Sequence, residues 1–321
     1  MEKIWGLFVF LSTNQYQSVS KNLTLEDDFW DYILDEAEKA KINTIILDVG
    51  DGVVFDSHPE ISLPDAWTRE RVHKEIEKCR AKGIKIIPKL NFSHYHSYWM
   101  HDYRGSVSTK KYYPLCSDLI KELYEIFEGP EYIHLGMDEE EYLPVKRSTE
   151  LLIHDTKFLI DEVNKTGAKA CIWCDILIQS NAEFTEAIKP DEVIIFPWYY
   201  DSYKKENYKT IEASWGPNDK FIRRGYKYNE ETPHAILFRE LPAAMQYAGY
   251  KYVPTMSVNL TGNPDVNTDE TMEFYKANIH DENQVLGYVT APWYVTNWSS
   301  KEHFDKSLDL FVKARKKHYN I

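Results

Sequence analysis

The sequence predicts a single α/β domain, residues 1–321, closed into a (β/α)8 TIM barrel, and three observations predict it. Apolar runs of strand length alternate with segments of helical periodicity, one pair per roughly 40 residues, eight times over. Those runs are apolar throughout, as strands buried on both faces are. No linker-like or low-complexity stretch divides the chain, and 43% hydrophobic residues among 321 supply one large core.

The elements follow in order. Residues 3–12 form the first strand. Over 25–40, Phe29, Ile33, Leu34 and Ala37 recur at helical spacing, with Thr24 placed as N-cap. Residues 44–49 make the second strand. Thr68 caps a helix that runs to 82 and stops at Gly83. Residues 84–90 are the third strand, and 114–127 a helix with Leu119, Leu123 and Ile126 on one face. Gly129 and Pro130 punctuate the start of the fourth strand, whose strand formers are Tyr132, Ile133 and Leu135. A helix over 148–165 closes at Gly167. Strand five spans 169–176, a short helix 181–188, and strand six 193–198. Residues 199–228 read as an elaborated loop over the site. Then come a helix over 230–247, strand seven over 251–258, a helix over 268–279, strand eight over 285–291 and a last helix over 300–316.

Composition excludes several partners. Lys and Arg number 38 against 51 Asp and Glu, a formal net charge of −13. That balance argues against nucleic acid or an anionic membrane surface. No apolar run approaches the roughly 18 residues of a membrane span. Residues 1–11 lack a basic leader region and a small-residue cleavage site, so the chain reads as cytoplasmic as it stands, and as periplasmic or secreted if a leader has been removed. Four cysteines in 321 residues exclude a dense disulfide framework. Cys171 and Cys174 have redox or metal spacing but fall in a predicted strand, where residues three apart face opposite sides, so both read as buried packing. With 9 Trp and 23 Tyr the chain is rich in flat apolar faces with a polar edge, which suit sugar rings.

In such a barrel the C-terminal strand ends build the active face. They carry Asp48 and Asp51, then Asn91, His94 and His96, then Asp138 and Glu139. Trp173 and Asp175 follow strand five, Trp198, Tyr199, Tyr200 and Asp201 strand six, Asn259 strand seven and Trp293 strand eight. On strand four, His134, Gly136 and Asp138 share a face at period two, and Glu139 stands where the strand gives way to a loop. Glu140 and Glu141 read as a solvated acidic turn, and His134 as a core residue supporting the carboxylates. Carboxylates ringed by aromatics suit glycoside cleavage: an acid protonates the leaving oxygen while aromatic walls hold a pyranose. Double displacement needs a second carboxylate about 5–5.5 Å from the acid, and residues 252–257 offer none. Either a neighbouring strand or the substrate supplies the nucleophile. A 2-acetamido oxygen can attack its own anomeric carbon when a carboxylate orients the amide.

At this point the chain resembles glycoside hydrolase family 20, the β-N-acetylhexosaminidases. Their fourth strand ends in His-x-Gly-Gly-Asp-Glu; here stand His134, Gly136, Met137, Asp138 and Glu139, with Met137 in place of the second glycine. Asn43, Asp48 and Asp51 resemble the family's Asn-x4-His-x2-Asp, with Asp48 where His is usual. His58, Pro59, Glu60 and Ile61, and the run from Gly83 to Lys89, fit the pattern before and along strand three. Trp173 with Asp175, Phe196 to Trp198, and Gly287 to Trp293 are similar to strands five, six and eight. The family's strand-one Arg has no counterpart over residues 5–13. On strand three Lys89 and Asn91 replace carboxylates, and His94 and His96 flank the expected histidine position.

The resemblance implies Glu139 as acid/base and Asp138 as the group orienting the acetamido substituent. It implies Trp173, Trp198 and Trp293 as walls of the sugar subsite, and Asp51, His94, Asp175 and Tyr200 join them as candidate substrate-binding residues. The expected activity is that of a retaining glycosidase on terminal β-linked 2-acetamido sugars, with a glycan or oligosaccharide as partner and no cofactor. The alternatives are a glycosidase for a sugar without an acetamido group, and a carbohydrate-binding barrel without catalysis. His94 and His96, with Asp138, have ligand-like spacing for a metal-dependent hydrolase. They lie past strand three in a loop, so no metal is expected.

Overall fold

A computed structural model describes residues 2–15, 19–140, 146–200, 202–203, 248–258 and 265–321. Strands β1 (Ile4–Phe10), β2 (Thr44–Asp48), β3 (Lys85–Lys89), β4 (Tyr132–His134), β5 (Lys169–Trp173), β6 (Val193–Phe196), β7 (Lys251–Tyr252), β8 (Thr255–Met256) and β9 (Gly287–Thr290) are all parallel. Their order is β7-β6-β5-β4-β3-β2-β1-β9-β8. The segments β7 and β8 are two halves of one barrel strand, parted at Val253 and Pro254, where Pro has no N–H to give. Across the break Val253 N–H still donates to Ile195 O at 2.9 Å, and Val289 N–H to Pro254 O at 2.9 Å. The interrupted strand therefore bonds to both neighbours, and the barrel closes there.

The helices are α1 (Asp27–Lys39), α2 (Arg69–Ala81), α3 (Tyr112–Ile126), α4 (Thr149–Thr166), α5 (Asp175–Gln179), α6 (Asn181–Ala187), α7 (Asn267–Asn278) and α8 (Lys301–Tyr319). The Thr68 hydroxyl caps α2 through Arg71 N–H, Ser148 caps α4 through Leu151 N–H, and Gly167 ends α4 at φ 99°. Thr24 does not cap α1: that helix starts at Asp27 behind Glu26, and the Thr24 hydroxyl faces Thr13 instead. The expected helix over 230–247, most of the loop over 199–228, Asp201, Asn259 and Glu141 lie outside the described residues.

Period-two alternation divides each strand between two cores. Trp5, Leu7 and Val9 of β1 point outward and pack under the helices with Ile45 and Leu47 of β2. Ile4, Phe8 and Phe10 point into the barrel with Ile46, Ile87, Cys171, Trp173, Ile194, Phe196 and Val289. Gly6 lies on the inward face, where a Cβ would stand 2.7 Å from Val289 Cγ2. Cys171 belongs to the inner core and Cys174 to the outer one, and burial pushes both thiols up. Near the C-terminal end the register runs Phe10 to Asp48, Asp48 to Lys89 and Lys89 to His134. Asp48, Lys89 and His134 bring polar groups into this layer, and it forms the base of the site.

Candidate active site

The strand β4 ends at His134, before the carboxylates. From there the chain coils: Gly136, Met137 and Glu139 take φ of 72°, 73° and 58°. A non-glycine residue in this region costs of order 1 kcal/mol or more, which the surroundings must offset. The coil resolves a geometric problem, because adjacent residues of an extended strand point to opposite faces. Here Asp138 and Glu139 both line one cavity. Asn91 holds the coil: its side-chain oxygen accepts from Met137 N–H at 3.2 Å and Ser93 N–H at 3.1 Å, and its amide donates to Asp138 Oδ1 at 2.8 Å. Ser93 Oγ donates to the Asp138 carbonyl at 2.6 Å. Asp175 supports the coil from behind, accepting from Glu139 N–H at 3.2 Å and from Trp198 Nε1 at 2.7 Å.

The cavity measures about 350 Å³, within the range of small-molecule sites. Phe10, Trp173, Trp198, Tyr200, Trp293 and Val295 give its apolar walls, and Thr13, Gln15, Lys89, Asn91, Asp138 and Glu139 its polar groups. The aromatics support one another. Trp198 stacks on Tyr200 at 5.2 Å between ring centres, and Trp293 lies 5.9 Å from Trp173 and 6.0 Å from Tyr200. His134 packs beneath them, 4.5 Å from Trp173, and its Nδ1 accepts from Gly136 N–H at 3.0 Å. Burial holds His134 neutral, with its pKa well below the usual imidazole range.

His96 supplies the charge at the carboxylates. Its Nε2 lies 2.9 Å from Glu139 Oε2 and 3.3 Å from Asp138 Oδ2, and the side chain is 1% exposed. Burial alone would lower its pKa, but the Asp138 and Glu139 carboxylates outweigh it and raise the imidazole to about 10. Burial likewise pushes the Asp138 carboxyl up. The His96 charge, the Lys89 charge and the Asn91 hydrogen bond prevail and hold it well below the usual carboxylate range. One atom each of His96, Asp138 and Glu139 lie within 4.8 Å of one another, a set of metal-ligand types. A cation would have to displace the imidazolium proton, which is held tightly.

Six of the nine candidate residues come together at the cavity: Asp138, Glu139, Trp173, Trp198, Tyr200 and Trp293. Three do not line it. Asp51 is fully buried and accepts from Ser12 Oγ, from Asn14 Nδ2 at 2.7 Å and from His101 Nε2, 3.0 Å away. His94 donates its backbone N–H to Glu140 beside the site, while His96, two residues on, turns inward. Asp175 acts through Glu139 and Trp198, as described. Glu140 is not a solvated turn residue: it is 5% exposed and paired with Arg147, which also holds Asp155 at 2.9 Å. Lys89 and Gln15 are lining residues that the sequence reading does not include among its candidates. Lys89 carries a findable signal, since it follows Ile87 at period two on a strand buried on both faces.

No family model matches the sequence, and no curated protein matches it. Solved structures do match. The GH20 β-N-acetylhexosaminidase from Streptomyces coelicolor A3(2) superposes with a TM-score of 0.62 at 12% identity, over 99% of this chain and 69% of that one. Dispersin B gives 0.59 at 14% identity, over 98% and 99%. The β-N-acetylhexosaminidase from Bacteroides fragilis NCTC 9343 gives 0.59 at 15% identity, over 95% of this chain, which spans 65% of that protein's length. The fold is the TIM barrel of these hexosaminidase structures.

Proposed function

We propose that the protein is a retaining glycoside hydrolase acting on terminal β-linked 2-acetamido sugars by substrate-assisted catalysis. The observation that carries this reading is the pair Asp138 and Glu139, turned together into an aromatic-walled cavity. Among the described lining residues these are the only carboxylates, so a separate protein nucleophile is not in evidence there. The likeness to solved β-N-acetylhexosaminidases adds support from the fold.

Glu139 takes up the proton it shares with His96 Nε2, 2.9 Å away, and gives it to the glycosidic oxygen as the bond to the anomeric carbon breaks. The acetamido carbonyl oxygen attacks that carbon from the opposite face and forms a cyclic oxazolinium ion. Asp138, kept ionised by His96 and Asn91, accepts the amide N–H and stabilises the positive charge that develops on the amide. Water then opens the ring, losing its proton to Glu139, and two inversions leave the β configuration. Trp173, Trp198 and Trp293 exclude bulk water and pack against the sugar.

The test is hydrolysis of aryl β-N-acetylhexosaminides by wild type, Glu139→Gln and Asp138→Asn. Each variant is expected to lose at least about 100-fold in kcat, within the usual range for a general acid or an electrostatic stabiliser. Undiminished turnover by Glu139→Gln would remove the proposal. Activity confined to sugars without an acetamido group would replace it with the other glycosidase reading, for which the absence of an arginine from β1 speaks.

A further inference from the structure

The cavity contains a cation that, beyond helping to hold Asp138 ionised, has no part in the proposed chemistry. Among the described lining residues Lys89 is the only basic side chain, and it is 1% exposed. Its cross-strand partner in the barrel interior is Asp48. Asp48 Oδ2 accepts from both Lys89 Nζ and Gln15 Nε2, and the ammonium stands 5.6 Å from the Phe8 ring. Asp48 Oδ1 has no partner among the described residues. A buried ion pair of this kind is weak evidence for stability, because desolvation consumes most of the attraction. TIM-barrel interiors are ordinarily filled by branched apolar side chains. An ammonium has three donors, and Asp48 engages one of them.

We propose that Lys89, aimed by Asp48 and Gln15, is a specificity-determining residue whose ammonium donates to a ring hydroxyl of the bound sugar. The ligand class is a neutral sugar, because the Lys89 ammonium is already hydrogen-bonded to Asp48 and shares the cavity with the Asp138 and Glu139 carboxylates, which leaves directional donors instead of a free cation. This inference rests on the reading that the cavity holds a terminal 2-acetamido sugar. A site built to hydrogen-bond a hydroxyl discriminates strongly against the analogue that lacks it, since its own buried group is then left unpaired.

The test is calorimetric binding of N-acetylglucosamine and its 3-, 4- and 6-deoxy analogues to wild type and Lys89→Met, with aryl-glycoside hydrolysis in parallel. Lys89→Met is expected to weaken the parent sugar by roughly 10- to 100-fold, the range for a hydrogen bond to a charged group. One deoxy analogue is expected to bind wild type and variant equally. A merely structural lysine would weaken all four sugars alike, and that result, or no change in any, would overturn the proposal. Because Lys89→Met strands the Asp48 carboxylate, Lys89→Met with Asp48→Asn is measured beside it; the same analogue should be the insensitive one. A sulfated or phosphorylated sugar binding wild type tenfold tighter than the neutral parent would also overturn it. Binding that follows this pattern without hydrolysis would sink the catalytic reading alone. Hydrolysis with uniform weakening would sink the Lys89 role alone, and no binding of any of these sugars would sink both.

Discussion

His96 sits with one ring nitrogen against two carboxylates, and its proton is therefore shared property of the folded state. In the unfolded chain a histidine titrates near 6.5 and an aspartate near 3.9. In the fold His96 is raised to about 10, so its contribution to stability is complete below pH 6.5 and is lost as pH rises through 10. Asp138 is depressed, so its contribution is complete above its unfolded pKa and is lost as pH falls through the folded one. Both are in force between about pH 4 and 6.5. Thermal unfolding of wild type and His96→Gln should therefore differ most near pH 5.5, with the gap narrowing steadily towards pH 10. A gap that stays constant across that span would show that the imidazolium is not the stabilising form.

At the scale of the element, the coil after β4 stores backbone strain so that neighbouring acids can share a cavity. Gly136 meets two constraints at once: its φ is 72°, and a Cβ there would fall 2.1 Å from Asn91 Oδ1. Gly136→Ala should lower stability by about 2 kcal/mol or more, combining left-handed strain with displacement of Asn91. It should also reduce turnover, because Asn91 holds Asp138. Gly105→Ala is the control, with open space around its Cβ, and should stay within about 0.5 kcal/mol of wild type. Equal denaturation midpoints for the two variants would refute the account of the coil. Met137, at φ 73°, bears the strain a glycine would avoid, and its burial in the outer core offsets that cost.

Across the whole molecule, the last helix closes the ring against the first strand. Arg315 of α8 donates to Ala40 O at 2.7 Å and Lys41 O at 3.0 Å, and its guanidinium lies 5.5 Å from the Trp5 ring. Arg315→Met should cost about 2 kcal/mol in urea unfolding, since two carbonyls lose charged donors, while KM stays unchanged. An unaltered midpoint would mean that this tie is redundant. No helix among the described residues is long and apolar enough to cross a membrane.

The strands, their parallel order and the caps of α2 and α4 were legible in the residues because periodicity and capping are local physics. The same holds for the strand ends as the place to look, and for Asp138, Glu139 and the three tryptophans as the residues to find there. Three things needed the folded chain. Whether His94 or His96 turns inward depends on an irregular loop with no period to read. Asp51 and Glu140 vanish into ion pairs whose partners, His101 and Arg147, have no sequence pattern linking them. The pairing of Lys89 with Asp48 arises from strand register, which joins residues 41 positions apart along the chain. Sequence determines what each segment can become; the barrel's closure decides which charges meet, because electrostatic and hydrogen-bond partners are chosen by distance in space.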